Sequence, residues 1–277
     1  MNFGRSLVAV CMAVVAASAG AWAQAPAPAA PDAVAKPAQD AAVGGNSGWV
    51  FNLSAYMWAT SLAGNVRTLP LLPETHVNVP FSDILRNLDG ALMASGEARK
   101  DRFMIFTDLV LSRVSPSKGF DVRDVRGQAK LDSISDTGLL SLGYRVYDDE
   151  RFTFDAMAGA RAFYVSNDLS IAGIHIGDVH VPGISLKKSE AWVDPVIGFR
   201  ARIRLAEQVH LLAIGFYGGF NVGSRQMIDM FGGLEYKLTS TYSAFLGYRS
   251  MLVDYRRGSF VYDVNQYGPM FGIRAQF

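Results

Sequence analysis

The chain closes on Gln266-Tyr267-Gly268-Pro269-Met270-Phe271-Gly272-Ile273-Arg274-Ala275-Gln276-Phe277, and this stretch decides the fold class. In an extended backbone, successive side chains point to opposite faces. Tyr267, Pro269, Phe271, Ile273, Ala275 and Phe277 therefore share one face, which is apolar throughout. Gln266, Gly268, Met270, Gly272, Arg274 and Gln276 share the other, which is mostly polar or small. This period of two is the signature of a strand.

Segments further back repeat it. In 188–204, Ala191, Val193, Pro195, Ile197, Phe199, Ala201 and Ile203 oppose Glu190, Trp192, Asp194, Val196, Gly198, Arg200, Arg202 and Arg204. In 151–167, Phe152, Phe154, Ala156, Ala158, Ala160, Ala162 and Tyr164 oppose Thr153, Asp155, Met157, Gly159 and Arg161. In 226–237, Ile228, Met230, Leu234 and Tyr236 oppose Asp229, Gly233, Glu235 and Lys237. A soluble sandwich alternates too, but its strands usually run to about five or six residues. Here the apolar faces are long and unbroken. Aromatics stand near their ends, as at the two interfaces of a membrane. The expected fold is all-β: a transmembrane, antiparallel, up-and-down barrel.

Composition agrees. Half of the 277 residues are hydrophobic, only 18% are charged, and 27 are glycine. Mean hydropathy is +0.15. The chain is too apolar for disorder, yet no run approaches the roughly 20 apolar residues of a membrane helix. Lys plus Arg is 26 and Asp plus Glu is 25, a balance that excludes a strongly basic nucleic-acid binder.

The N-terminus reads as an address. Arg5 precedes the apolar run Leu7 to Ala19, and Ala21-Trp22-Ala23 has the small-x-small form of a signal-peptidase site. Residues 1–23 are thus expected to be a signal peptide, cleaved before Gln24. Cleavage removes Arg5 and no acid, so the mature chain is formally neutral. It also removes Cys11, the only cysteine, which excludes disulfides, thiolate metal sites and a cysteine nucleophile. Residues 24–47, rich in Ala and Pro, are expected to be a disordered periplasmic linker. The barrel is expected over 48–277.

Tight polar turns at Lys100-Asp101, Asp148-Asp149-Glu150, Ala206-Glu207 and Thr239-Ser240-Thr241 alternate with longer or glycine-bearing connections at 61–88, 115–127, 172–187, 221–225 and 257–259. Short turns face the periplasm and long ones the exterior. This spacing gives strands at 49–60, 89–98, 102–114, 128–147, 151–171, 188–204, 208–220, 225–237, 242–256 and 260–277. The count is ten, with both termini periplasmic; an extra hairpin in 61–88 would make twelve. Within that connection, Pro80 to Leu88 has helical spacing of Phe81, Leu85 and Leu88, with Ser82 as a cap. A plug in the barrel mouth and a helix packed on the rim are both open to it.

Several motifs bring a resemblance. They are Phe81-Ser82-Asp83-Ile84-Leu85 with Asn87-Leu88, and Glu97-Ala98-Arg99-Lys100. Trp192-Val193-Asp194-Pro195 with Gly198 and Arg200, and Gly218-Gly219-Phe220 with Val222-Gly223-Ser224, belong to the same set. Leu246-Gly247-Tyr248-Arg249 with Val253-Asp254-Tyr255 completes it. Over 50–277 the chain resembles a family of uncharacterised proteobacterial outer-membrane β-barrel proteins. The resemblance implies the barrel and its location, and carries no activity. The last residues also resemble the terminal signal read by the barrel-assembly machinery, with Phe277 closing it; Ala275 departs from that pattern. The partners expected are outer-membrane lipids, lipopolysaccharide and that machinery, with no nucleic acid and no cofactor.

The inward faces collect charge. Acids there are Glu97, Asp108, Asp155, Glu190, Asp194, Asp229 and Glu235. Bases are Arg99, Arg145, Arg161, Arg200, Arg202, Arg204, Lys237, Arg249 and Arg274. A ten-stranded lumen is only a little wider than one that side chains fill, and unpartnered charge in it costs several kcal/mol. A paired charge network is expected, with Asp194 opposite Arg161 and Arg200 opposite Asp155; a narrow pore is the alternative. A further reading is an outer-membrane hydrolase acting on lipid or peptide. His175 and His180 lie near Asp168, Asp178 and Ser185 in the third long connection, while His76 lies in the first and His210 follows a periplasmic turn. No Gly-x-Ser-x-Gly elbow or phosphate loop occurs. The expectation is a barrel without catalysis, in a structural, surface-interacting or slightly pore-forming role.

Overall fold

The computed structural model describes residues 48–69, 73–122, 125–176, 179–181 and 183–277, the side chains of 118–127, 172–182 and 184 excepted. The expected signal peptide and linker lie outside the described residues. The strands are β1 (Trp49–Trp58), β2 (Ser61–Arg67), β3 (Thr75–Val79), β4 (Leu88–Lys100), β5 (Phe103–Val114), β6 (Ser117–Val122) and β7 (Val125–Asp148). They continue as β8 (Phe152–Ile176), β9 (Val179–Val181), β10 (Ile184–Arg204), β11 (Val209–Gly218), β12 (Gln226–Lys237), β13 (Tyr242–Arg257) and β14 (Phe260–Gln276). One helix, α1 (Phe81–Arg86), precedes β4.

Pairing runs β1-β4-β5-β7-β8-β10-β11-β12-β13-β14 and returns to β1, so the sheet is a closed antiparallel barrel of ten staves. The seam sets Asn52 opposite Gln276 and Trp58 opposite Met270. The Phe51 and Phe277 backbones exchange hydrogen bonds of 3.0 and 2.8 Å beyond it. Closure leaves no barrel strand with an unpaired edge, a condition for placing backbone in hydrocarbon.

The four strands outside that circuit extend its staves. β2 continues β1 along β14 in the same register, with a break at Ala59 and Thr60. β6 likewise continues β5 along β7, and β9 continues β10 along β8. The connections expected at 115–127 and 172–187 are therefore not open loops but the upper ends of tall hairpins. Within 61–88, β3 adds to β2, so the extra hairpin lengthens a stave and leaves the barrel count at ten. Between β3 and β4 the register along the first stave jumps, and the surplus chain forms α1. The helix caps on Pro80 without a side-chain bond, so Ser82 is not the cap. None of its residues is buried, which places it on the rim and not in the lumen. The Phe81 amide donates to Ser61 Oγ at 3.0 Å and holds it there.

Side-chain exposure is inverted relative to a water-soluble protein. Leu142 is 67% exposed, Leu246 62% and Ile273 57%, whereas Arg161 and Asp194 are fully buried. The outward residues of β8 run Ala156, Ala158, Ala160 and are apolar, and the inward Asp155, Met157 and Arg161 are buried. Above this band the polarity swaps. Outward positions become Ser166 and Asp168, and inward ones Phe163 and Val165. On β13 the same swap sets Leu246 and Tyr248 below Asp254 and Arg256 outside, and Arg249 below Val253 and Tyr255 inside. Outside the band, Arg256 joins Asp254 at 3.0 Å and Asp263 at 2.8 Å. An apolar belt thus girdles the lower barrel, and a charged outer wall with an apolar interior stands above it.

Candidate functional site

Three layers fill the lumen. The middle one is built from β1, β5, β8, β12 and β13, whose inward positions converge because the barrel is narrow. Arg161 Nη2 donates to Asp229 Oδ2 at 2.6 Å. Arg249 Nε and Nη2 donate to the two oxygens of Asp229 at 2.9 and 2.8 Å. Arg249 Nη2 also reaches Asp108 Oδ2 at 2.6 Å, with Arg161 Nη1 lying 3.7 Å from the same atom. Two guanidiniums and two carboxylates therefore neutralise each other in a site no residue of which exceeds 5% exposure. Tyr56 Oη donates to Asp108 Oδ1 at 2.5 Å, and Arg249 Nη1 donates to Tyr56 Oη at 3.1 Å. The Trp58 ring lies 4.9 Å from the Arg249 guanidinium carbon. Each carboxylate accepts several charge-assisted bonds, the condition under which buried ion pairs are tolerable. The cavity left at this level is 40 Å³, about the share of one water molecule in the liquid.

Above the tetrad, Trp192 stacks between Phe163, 5.0 Å away, and Tyr255, 4.0 Å away, with Tyr262 edge-on at 6.0 Å. The connection from β11 to β12 folds against this stack. Its Gly219, Phe220 and Asn221 all take positive φ, 91°, 49° and 61°. This left-handed path leads to Ser224, which is buried against Asp194 and Trp192. Its amide donates to Asp194 Oδ1 at 2.6 Å, and Trp192 Nε1 donates to its hydroxyl at 2.9 Å. Asp194 thus serves as a clamp for this connection.

Below the tetrad lies a vestibule of 600 Å³, opening at the short-turn end. Its floor holds Glu97, Arg99, Arg145, Asp155, Arg200, Arg202, Glu235 and Arg274. Arg200 binds Glu97, and Arg99 bridges Glu97 at 3.1 Å and Asp155 at 2.7 Å. Arg145 binds Asp155 at 3.0 Å, and Arg274 binds Glu235 at 2.9 Å.

Of the sixteen charged residues expected on inward faces, Asp108, Arg161, Asp229 and Arg249 meet in the middle layer, Glu97, Arg145, Asp155, Arg200 and Arg274 line the vestibule, and Asp194 stands apart. The expected register also holds, with Asp194 opposite Arg161 and Arg200 opposite Asp155. The ion pairs do not follow it. Arg161 reaches across to Asp229, Arg200 reaches Glu97, and Asp155 is taken by Arg99 and Arg145. The aromatic partners Tyr56, Trp58 and Trp192 were not expected in this role, although each falls on an inward face by alternation.

Of the hydrolase candidates, Ser185 Oγ donates to Asp168 Oδ1 at 3.3 Å on the outer wall. The His175 and His180 backbones pair across β8 and β9, and their side chains lie outside the described set. His76 contacts Asn65 at 3.1 Å, and His210 lines the vestibule. No group of three potential metal ligands forms among the described residues. On the outer wall, the hydrogen bond from Ser115, followed by that from Lys130, holds the Asp132 carboxyl below its ordinary range.

The fold is that of an outer-membrane barrel. The chain is similar to the outer membrane protease OmpT from Escherichia coli at a TM-score of 0.53 and 10% identity, over 86% of this chain and 100% of that one. It also aligns with Ail, the attachment invasion locus protein of Yersinia pestis, at 9% identity over 83% of this chain and 99% of that one, with a TM-score of 0.33. Neisserial surface protein A aligns at 12% identity over 83% and 98%, with a TM-score of 0.28. The last two scores are too low to bear on the fold. No family model and no curated protein matches.

Proposed function

We propose that this chain is an integral outer-membrane protein whose barrel is closed to solutes, with a structural or surface-interacting role and no catalysis. The observation that carries this reading is the pair formed by an apolar outer belt and a lumen filled with neutralised charge. The belt gives up large apolar surface to its surroundings, which is favourable only in lipid. The tetrad and the aromatic stack occupy the path that a pore would need. The tall outer wall then stands beyond the lipid, where its charged outward face suits water and its height offers contact surface. The signal peptide expected at 1–23 and the terminal Phe277 fit delivery to the same membrane.

The OmpT likeness extends to the barrel alone, since identity is 10%. The Asp168–Ser185 contact lies in the open on the outer wall, without the enclosure that makes such a pair reactive. Fractionation tests the reading. The protein should require detergent for extraction from the outer membrane and should run faster unheated than boiled. The purified barrel should leave phospholipid, lipid A and peptides intact. Soluble recovery from the periplasm, or turnover of any of these substrates, would overturn it.

A further inference from the structure

We propose that the outer face of β4, β5, β7, β8 and β10, where the apolar belt meets the charged outer wall, binds one lipid with a phosphoethanolamine head. The site rests on the membrane reading above, because the surrounding leaflet supplies the lipid.

Outward residues here stand in rows set by the strand register. The lowest row holds Leu92, Leu111, Asp136 and Tyr164, and the next Gly90, Arg113, Ile134 and Ser166. In the third, Asp132 lies opposite Asp168, and Asp168 opposite Lys187. Polarity therefore rises row by row away from the belt, as it does along a lipid from chain to head. Two cavities follow the rows. A groove of 310 Å³ runs between Leu92, Leu111, Ile134 and Tyr164. A hollow of 630 Å³ above it is lined by Lys130, Asp132, Asp168 and Lys187. Arg113 and Ile134 border both, so the two are continuous. Gly90 keeps the groove open, since a Cβ there would meet no atom within 4 Å.

Charge in the hollow is balanced. Asp89, Asp132 and Asp168 match Arg113, Lys130 and Lys187, and Asp136 in the groove is itself partnered. A bare anion or cation gains little from such a surface, whereas a head carrying both signs meets complementary groups. Lys130 pairs with Asp132 at 3.1 Å and Lys187 with Asp168 at 3.6 Å. Both pairs stand in water and are correspondingly weak, so they can re-pair with a ligand. Asp89 is the extra residue of a bulge in β4, a feature that re-aims a side chain. Ser115 Oγ lies 2.5 Å from Asp89 Oδ2 and 2.6 Å from Asp132 Oδ1, and its hydroxyl has one hydrogen to donate. Two carboxylates thus converge on a single donor, and the ammonium of the head supplies further N–H groups to them. Arg113 stands between groove and hollow, where the phosphate of a lipid follows its chains, and its guanidinium offers paired donors.

Native mass spectrometry of the full barrel, released from sugar-based detergent and titrated with dimyristoyl lipids, tests this. One phosphatidylethanolamine should be retained saturably. Phosphatidylcholine, whose ammonium has no N–H, and phosphatidylglycerol, which has no cation, should each be held about ten-fold more weakly, the loss of one charge-assisted contact. Gly90→Phe fills the groove from a position with open space around it and should abolish retention. Arg113→Gln and Asp132→Asn should each weaken it about three- to ten-fold. Arg256→Gln, on the outer wall at β13, should leave it unchanged. Heat-modifiable migration of each variant checks that the barrel is intact. The proposal is overturned if the three lipids are retained alike, if phosphatidylglycerol is preferred, or if folded Gly90→Phe retains phosphatidylethanolamine as wild type does. Because the titration is done in detergent, its failure would leave the membrane reading standing, and failed fractionation would leave the lipid preference standing.

Discussion

At the scale of single residues, the energetics turn on which face a side chain occupies. Ile197 faces outward at 56% exposure and Arg200 inward at 7%, three positions along the same strand. An arginine on the lipid face near the midplane costs about 2–4 kcal/mol. Ile197→Arg should therefore reduce the folded, heat-modifiable fraction more than Arg200→Gln, which keeps a donor beside Glu97 and leaves Arg99 as that carboxylate's partner. The opposite order would mean that the two faces are exchanged. The tetrad sharpens the argument. Removing one partner of a buried pair costs about 3–5 kcal/mol, because the other charge is left stranded. In a double-mutant cycle, Arg161→Ala and Asp229→Ala should couple by roughly 1–3 kcal/mol. Arg161→Ala with Asp194→Ala should couple less, although these two are the cross-strand neighbours. Equal coupling in the two cycles, read from denaturant midpoints, would contradict the assigned ion pairs.

At the scale of elements, the polarity swap along β8 and β13 sets where lipid ends. The mature chain is expected to lack cysteine, so single cysteines report position cleanly. Leu246→Cys should resist a hydrophilic maleimide in intact membranes, whereas Asp254→Cys, eight residues along the same outward face, should react. Comparable labelling of both would displace the belt. The same swap explains what the sequence did and did not disclose. Alternation is local, so the strands, their faces and the short turns at Asp101, Glu150 and Thr239 could be read from neighbours in the chain. The segments 115–127 and 172–187 read as loops because the outward apolar positions that mark the lower strands stop before them. From Phe163 to Asp168 the apolar residues already lie inside, and the outward positions are Ser166 and Asp168. The backbone continues as strand beyond that point. Ion-pair partners were illegible for another reason. An arginine side chain spans much of a narrow lumen, so its partner is set by barrel closure and not by register. Arg161 sits opposite Asp194 and still binds Asp229, which belongs to a strand two staves beyond the one carrying Asp194.

At the scale of the whole molecule, the layers make one closed object. The seam of β1 with β14 shuts the wall, the tetrad and the Trp192 stack shut the lumen, and the vestibule remains as a pocket below. The central claim is that no ion path crosses this barrel, and single-channel recording in planar lipid bilayers tests it most directly. The wild-type protein should insert without discrete conductance steps. Asp108→Ala with Asp229→Ala and Arg249→Ala, in a variant that still migrates as a folded barrel, should open measurable steps. Stable, discrete conductance from the wild type would contradict the account.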